Sequence, residues 1–183
     1  MTWEPELEEL RQRQALAREM GGPDKIARQR AAGRLTVRER IGTLLDAGSF
    51  HEIGSITGNG AYDETGALQS MTPTNFLFGR GLIEGRRVVV AGDDFTVRGG
   101  ASDASIIEKQ VAAEQMAHEL RLPMIRLIEG SGGGGSVKSL EAMGYTYVPF
   151  LPGFDHMVRN LATVPVVSLG LGPIAGFGAA KVV

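Results

Sequence analysis

Met124-Ile125-Arg126-Leu127-Ile128-Glu129-Gly130-Ser131-Gly132-Gly133-Gly134-Gly135 is an apolar run that empties into glycine. Its first five residues carry four large apolar side chains, the length and character of a buried strand. Helical stretches are predicted over 137–147 and 154–162. A second strand follows, Val164-Pro165-Val166-Val167-Ser168-Leu169, and it too runs into glycine: Gly170-Leu171-Gly172-Pro173-Ile174-Ala175-Gly176-Phe177-Gly178, opening onto Ala179-Ala180-Lys181. Strand, glycine loop and helix therefore occur in that order twice. Such a junction presents main-chain N–H groups at a helix N-terminus, where the dipole favours negative charge. Glycine lets those groups approach a ligand closely. Donors of this kind stabilise an oxygen that becomes anionic, as in an enolate or a tetrahedral adduct. Tight strand–helix packing is the other reading of one such loop; two loops in equivalent positions weigh toward a ligand.

Upstream, Phe76-Leu77-Phe78-Gly79-Arg80-Gly81-Leu82-Ile83 and Arg87-Val88-Val89-Val90-Ala91 flank Glu84-Gly85-Arg86, which predicts a hairpin. Asp93-Asp94-Phe95-Thr96-Val97 is expected to extend its second strand until Gly99-Gly100 breaks it. Ser102 or Asp103 can cap the next helix, which runs from Ile106 to about Arg121 before Pro123. Residues 54–75, rich in Gly, Thr, Ser and Asn, read as a long loop or lid. Residues 1–48 read as helical. Glu4–Met20 carries a narrow apolar stripe, Asp24 caps a second helix to Ala32, and Thr36-Val37-Arg38-Glu39 is a capping box for a third. The whole is an α/β layout opened by a hairpin.

The composition excludes several chemistries. The 183 residues include no cysteine, which removes disulfides, thiol nucleophiles and cysteine-ligated metals. His51, His118 and His156 are scattered. There is no Gly-x-Ser-x-Gly elbow and no phosphate-binding Gly-Lys-Ser/Thr loop. The Gly-x-Gly-x-x-Gly within the glycine run lacks the acidic partner of a dinucleotide site. Asp93, Asp94 and Glu129 are candidate carboxylates, and no metal site is expected. A net charge of −2 argues against a nucleic-acid binder. No apolar run approaches membrane-spanning length, and the polar, acidic start is no secretory signal. Between Lys25 and Arg40, six bases face one acid, either a solvated helical face or a landing strip for phosphates. Val164–Val183 holds a single charge, Lys181, so the chain is expected to be a fragment or to be completed by another chain.

Arg30-Ala31-Ala32-Gly33-Arg34-Leu35-Thr36-Val37-Arg38-Glu39-Arg40-Ile41 and Leu44–Glu52 resemble the opening signature of the carboxyltransferase (beta) subunits of biotin-dependent acyl-CoA carboxylases, the propionyl-, acetyl- and methylcrotonoyl-CoA enzymes. Gly79-Arg80-Gly81, Gly85-Arg86, Asp94–Gly100 and Lys109 are similar to its next block. Pro123–Gly135 stands where the family has Asp-Ser-Gly-Gly-Ala-Arg, and Gly172-Pro173-Ile174-Ala175-Gly176 where it has Gly-Pro-x-Ala-Gly-Gly. Glycines replace Gly-Gly-Ala-Arg, and Phe177 replaces a glycine.

The resemblance implies a crotonase-like (ClpP/crotonase) ββα spiral preceded by an N-terminal helical segment. Residues 1–48 would be that segment, and 49–183 the N-terminal carboxyltransferase domain, incomplete at its C-terminus. It implies transfer of a carboxyl group from carboxybiotin to the α-carbon of a short acyl-CoA through an enolate, with no metal in this chain. The backbone N–H groups of Gly133, Gly134, Gly176 and Phe177 would form the oxyanion hole. Arg34, Arg38, Arg40, Gly99, Gly100 and Gly132 would bind substrate, the arginines pairing with the CoA phosphates. Carboxybiotin would arrive on a biotin carboxylase/biotin carboxyl carrier partner and face the carboxyl-terminal half of the carboxyltransferase. A cytoplasmic homo-oligomer is implied. A decarboxylase subunit running the transfer backwards and a non-catalytic assembly half-subunit are the alternatives. A hydratase or isomerase would need a carboxylate pair, for which Glu129 and Glu141 are the nearby acids.

Overall fold

A computed structural model describes residues 2–101, 106–130, 132–133, 137, 140–141, 144 and 154–182. Three helices open the chain: α1 (Glu4–Arg18), α2 (Pro23–Ala31) and α3 (Val37–Leu44). Leu7 and Leu10 on α1 are exposed and Ala17 is buried, as the narrow stripe predicts. At the start of α2, Pro23 stands at the first helical turn behind Gly22, whose φ of 91° no side chain would favour. Asp24, expected as the cap, therefore lies inside the first turn instead. At α3 the capping box forms in full: Thr36 accepts from the Glu39 N–H, and Glu39 accepts from the Thr36 N–H at 2.7 Å.

The main sheet has the order β1-β4-β5-β6-β7, from β1 (His51–Ile53), β4 (Phe76–Ile83), β5 (Arg86–Asp93), β6 (Met124–Gly130) and β7 (Val166–Ile174). Strands β1, β4 and β5 are antiparallel, while β5, β6 and β7 are parallel. The turn between β4 and β5 is two residues, Glu84 and Gly85, both at positive φ (50° and 76°). That is the primed turn whose twist matches a hairpin. The Asp46 carboxylate fixes it by accepting both N–H groups, at 2.9 and 2.8 Å.

Helix α4 (Ile107–Leu120) crosses from β5 to β6, completing a ββα unit. Helix α5 (Phe154–Thr163) leads into β7 and packs on α4. Strands β4, β5 and β6 are apolar on both faces because both of their faces are covered. Val88, Val90, Leu77, Ile125 and Leu127 pack with Val37 and Ile41 of α3 on one side. Phe76, Phe78, Val89, Ala91 and Met124 pack with Ala113 and Ala117 of α4 on the other. The alternation of odd and even positions along β4 and β5 is the strand period of two.

Three further expectations change. Residues 54–75 are not one long loop; they contain a second antiparallel pair, β2 (Gly58–Tyr62) and β3 (Leu68–Pro73). Its strands leave most side chains exposed, so they carry no apolar pattern to read. Their connection is set by Asp63, whose carboxylate accepts the Thr65 and Ala67 N–H groups at 2.9 and 3.0 Å. Strand β5 ends at Asp93, because the buried Asp94 takes the Thr96 N–H and hydroxyl and turns the chain. Strand β7 runs on through Gly170 and Gly172 to Ile174, shortening the second glycine loop to Ala175 and Gly176. The Ser102 or Asp103 cap and most of 137–147 lie outside the described residues.

Thr36→Ala removes the hydroxyl half of the capping box beneath a buried helix. The expected cost is about 1 kcal/mol, or about 2–4 °C in Tm for a chain of this size. Thermal unfolding followed by circular dichroism checks it; an unchanged Tm would contradict the capping account.

Candidate active site

Strands β6 and β7 run parallel with Met124 opposite Val166 and Ile128 opposite Gly170. They finish at the same edge of the sheet, and the glycine loops leave from there. Ligands of open parallel sheets bind at this carboxyl edge. The two loops touch. The Ala175 N–H donates to the Gly130 carbonyl at 3.0 Å. A Cβ at Gly132 would lie 3.3 Å from the Ala175 Cβ, and one at Gly176 would lie 3.4 Å from the Gly132 Cα and 3.7 Å from the Gly133 nitrogen. Gly176 holds φ 60° and ψ −134°, a backbone conformation open to glycine. Phe177 follows as the first residue of α6 (Phe177–Ala180).

The structure thus brings Gly132, Gly133, Gly176 and Phe177 together. Gly134 lies outside the described residues. Gly99 and Gly100 belong to a short turn (Arg98–Gly100) laid against the end of β6, where a Cβ on Gly100 would come within 2.5 Å of the Glu129 carbonyl oxygen.

Directly beneath the first loop sits Glu129, fully buried. Its carboxylate accepts from Gln29 Nε2 at 2.9 Å and pairs with Arg34 at 2.9 Å and Arg40 at 2.5 Å. Arg40 also donates to the Leu171 carbonyl at 3.1 Å. Gly172 has no side chain because Glu129 occupies the place: a Cβ there would meet the Glu129 Oε1 at 2.2 Å. With Glu129 held by Gln29, Arg34 and Arg40, and Glu141 exposed, these two acids form no carboxylate pair of the kind a hydratase needs among the described residues.

The arginine expectation is redrawn. Arg38 makes a two-point pair with Glu52 at 2.8 and 3.2 Å, and Arg40 is enclosed against Glu129. Arg40 is buried, while Arg38 is about as exposed as Arg34 but is not among the residues lining the basic groove. Arg34 alone of the three also lines a groove of about 290 Å³, together with Lys25, Arg28 and Arg98. Its guanidinium stands 5.1 Å over the Phe95 ring, and Gln29, Thr96 and Gly99 complete the wall. Four cations and no acid line this groove. Lys25 and Arg28 belonged to the basic stretch of the sequence; Arg98 and the anchoring role of Glu129 carried no local signal, since the partners lie 95 and 100 residues away.

Asp93 and Asp94, adjacent in sequence, do different work. Asp94 closes the Thr96 turn. Asp93 accepts the Glu129 N–H at 3.2 Å, and burial pushes its carboxyl up to about 6, the charge of Lys181 opposing that rise.

Residues 28–182 match the carboxyl transferase domain family. The chain belongs to that family. It is 34% identical over 171 residues to a propionyl-CoA carboxylase beta chain of Roseobacter denitrificans, covering 93% of this chain and 32% of that protein. It is 32% identical over 160 residues to a methylmalonyl-CoA decarboxylase subunit alpha of Propionigenium modestum, covering 85% and 29%. A solved transcarboxylase 12S, described as a hexamer with methylmalonyl-coenzyme A bound, superposes with a TM-score of 0.76 at 27% identity, over 99% of this chain and 34% of that one. The chain therefore spans about a third of the length of these relatives. The fold is the crotonase fold of the carboxyltransferases, as the resemblance implied.

Glu129→Ala would leave Arg40 buried and Arg34 half-buried without their anion. Breaking a buried pair on one side costs about 3–5 kcal/mol, whereas Lys25→Ala at the open groove should stay within about 0.5 kcal/mol. Chemical denaturation of both variants checks this; equal midpoints would refute the anchoring role of Glu129.

Proposed function

We propose that this chain forms the thioester-binding part of the carboxyltransferase component of a biotin-dependent acyl-CoA carboxylase. The observation that carries the reading is the meeting of the two glycine turns at the carboxyl edge of β6 and β7. A thioester carbonyl oxygen seated between them would face the N–H groups of Gly133 and Gly134 from one turn and of Gly176 and Phe177 from the other. When the α-proton leaves, negative charge moves onto that oxygen as the enolate forms. Donors fixed beforehand by strand ends need no reorganisation at that moment, which is where such sites gain their effect. The enolate α-carbon then forms the new bond to carbon dioxide. Carboxybiotin, carried by a partner, would supply that carbon dioxide, and its biotin the base for the proton. No side-chain base is asked of this chain, in keeping with its scattered histidines and buried, paired Glu129.

The CoA phosphates are assigned to the groove of Lys25, Arg28, Arg34 and Arg98. Gly99, Gly100 and Gly132 form the backbone path between groove and turns. The biotin carboxylase/carrier subunit, the carboxyl-terminal half of the carboxyltransferase and further copies of it are the proposed partners, and cytoplasm the proposed place. Among the described residues no helix is long and apolar enough to cross a membrane. A second reading, carboxyl transfer from an acyl-CoA to biotin, is favoured by the similarity to methylmalonyl-CoA decarboxylase alpha subunits. The same oxygen site serves both directions, because both pass through the enolate.

Gly133→Pro deletes one N–H and fixes φ. In the assembled enzyme the expected loss of turnover is about 100- to 1,000-fold, the range for one oxyanion donor. A folded variant with unchanged turnover would sink the reading. At the groove, Lys25→Ala and Arg28→Ala should each raise KM for acyl-CoA several-fold while leaving kcat within about twofold, and the effect should shrink at high salt. Steady-state kinetics at two ionic strengths decides it; a loss confined to kcat would remove phosphate binding from these residues.

A further inference from the structure

Beneath the turns lies a small cavity of about 20 Å³, lined among others by Asp93, Gln110, Glu114, Arg126 and Lys181. Its charges divide into two groups. Arg126 and Glu114 satisfy each other through two hydrogen bonds at 2.8 and 3.0 Å, and Asn160 adds a third to the Glu114 carboxylate at 2.9 Å. Lys181 is left to other partners. It stands at the end of α6, four residues after Phe177, and its Nζ donates to Gln110 Oε1 on α4 at 3.1 Å. The same Nζ lies 5.1 Å over the Phe177 ring. Asp93 is the acid whose charge supports it most, ahead of Glu114, while Arg126 opposes it. Asp93 in turn faces Lys181, Glu129 and Arg40, and accepts the main-chain N–H of Glu129.

The Lys181–Gln110 bond links α6 to α4, and Asp93 adds a side-chain bond between β5 and β6, neighbours in the sheet. Asp93 ends β5 and grips the end of β6, from which the first glycine turn leaves. Lys181 ends α6, at whose start the second turn delivers Phe177. A helix of four residues has few hydrogen bonds of its own to fix its direction. Its alignment has to come from outside.

We propose that Lys181 is a positioning residue of the oxygen site: by reaching from the end of α6 to Gln110 and facing Asp93, it holds the Gly176–Phe177 turn against Gly132 and Gly133. The inference rests on the oxyanion reading above and adds to it the group that sets the donor geometry. Lys181 touches no substrate atom in this scheme; it acts through the turn. Its ammonium is desolvated, which lowers its proton affinity, and Asp93 restores part of it.

The test compares Lys181→Met and Lys181→Arg. In the 183-residue chain, amide hydrogen exchange at 176–181 should quicken about tenfold or more in Lys181→Met, with β4 and β5 unchanged, and return toward the parent rate in Lys181→Arg. The Asp93 carboxyl, followed by carbon-13 NMR, should titrate at higher pH in Lys181→Met than its parent value of about 6, because the supporting cation is gone. In the assembled enzyme, kcat should fall about 10- to 100-fold with KM for acyl-CoA little changed, the effect of a displaced reacting geometry. Unchanged exchange at 176–181 in Lys181→Met overturns the clamp, whatever the kinetics. Faster exchange with unchanged kcat overturns the catalytic role instead; a normal turnover in Gly133→Pro alongside it would place the fault in the oxyanion reading.

Discussion

One main-chain hydrogen bond, from the Ala175 N–H to the Gly130 carbonyl, joins the two turns on which the proposed oxygen site depends. It ties the ends of two parallel strands at the point where each gives way to glycine. Parallel pairing brings both ends to one edge, and the bond keeps the turns from parting. Gly132 has little room for a substituent, since a Cβ there would come within 3.2 Å of the Ala175 carbonyl carbon, and Gly176 holds a φ of 60° that favours glycine, while Gly133 is open. Bare backbone is what remains to face a ligand, and bare backbone offers N–H donors.

The strand ends are held from below by charge. Glu129 is buried under the first turn and is held by Gln29, Arg34 and Arg40, all supplied by the N-terminal helices or the link between them. The helical segment is thereby bound into the site instead of decorating it. Burying an acid so deeply is favourable only with full partnership, which explains two cations and an amide around a single carboxylate. Arg40 reaches on to the Leu171 carbonyl and so connects α3 with β7 as well. The basic groove lies on the same side, sharing Arg34 and Gln29 with this network. A ligand drawn to the groove is thus mechanically close to the turns.

Much of this was legible from local sequence rules. The β4–β5 hairpin followed from two apolar runs flanking Glu84-Gly85-Arg86, of which the structure takes Arg86 into β5. The α3 capping box followed from Thr36 and Glu39, and the two strand-to-glycine transitions from the runs at 124–135 and 164–178, while the meeting of the two loops was what the family resemblance implied. The β2–β3 hairpin was not legible, because its exposed strands leave no apolar alternation. The length of β7 was misread for a related reason. Gly172 reads as a loop residue until Glu129 is seen filling the space beside it, and that neighbour is 43 positions away in the chain. The basic stretch was visible, but which of its members meet carboxylates was not: Arg38 finds Glu52 and Arg40 finds Glu129 through tertiary contacts. Charge pairs that span the chain follow from the fold, and local composition does not rank them.

The account is tested most directly by a crystal structure of the assembled enzyme with an acyl-CoA bound at this edge. It predicts the thioester oxygen within about 3 Å of a main-chain nitrogen from each glycine turn, the hydrogen-bond distance for such donors. The pyrophosphate should lie along Lys25, Arg28, Arg34 and Arg98. A thioester oxygen directed away from both turns, toward solvent or a side chain, would contradict it.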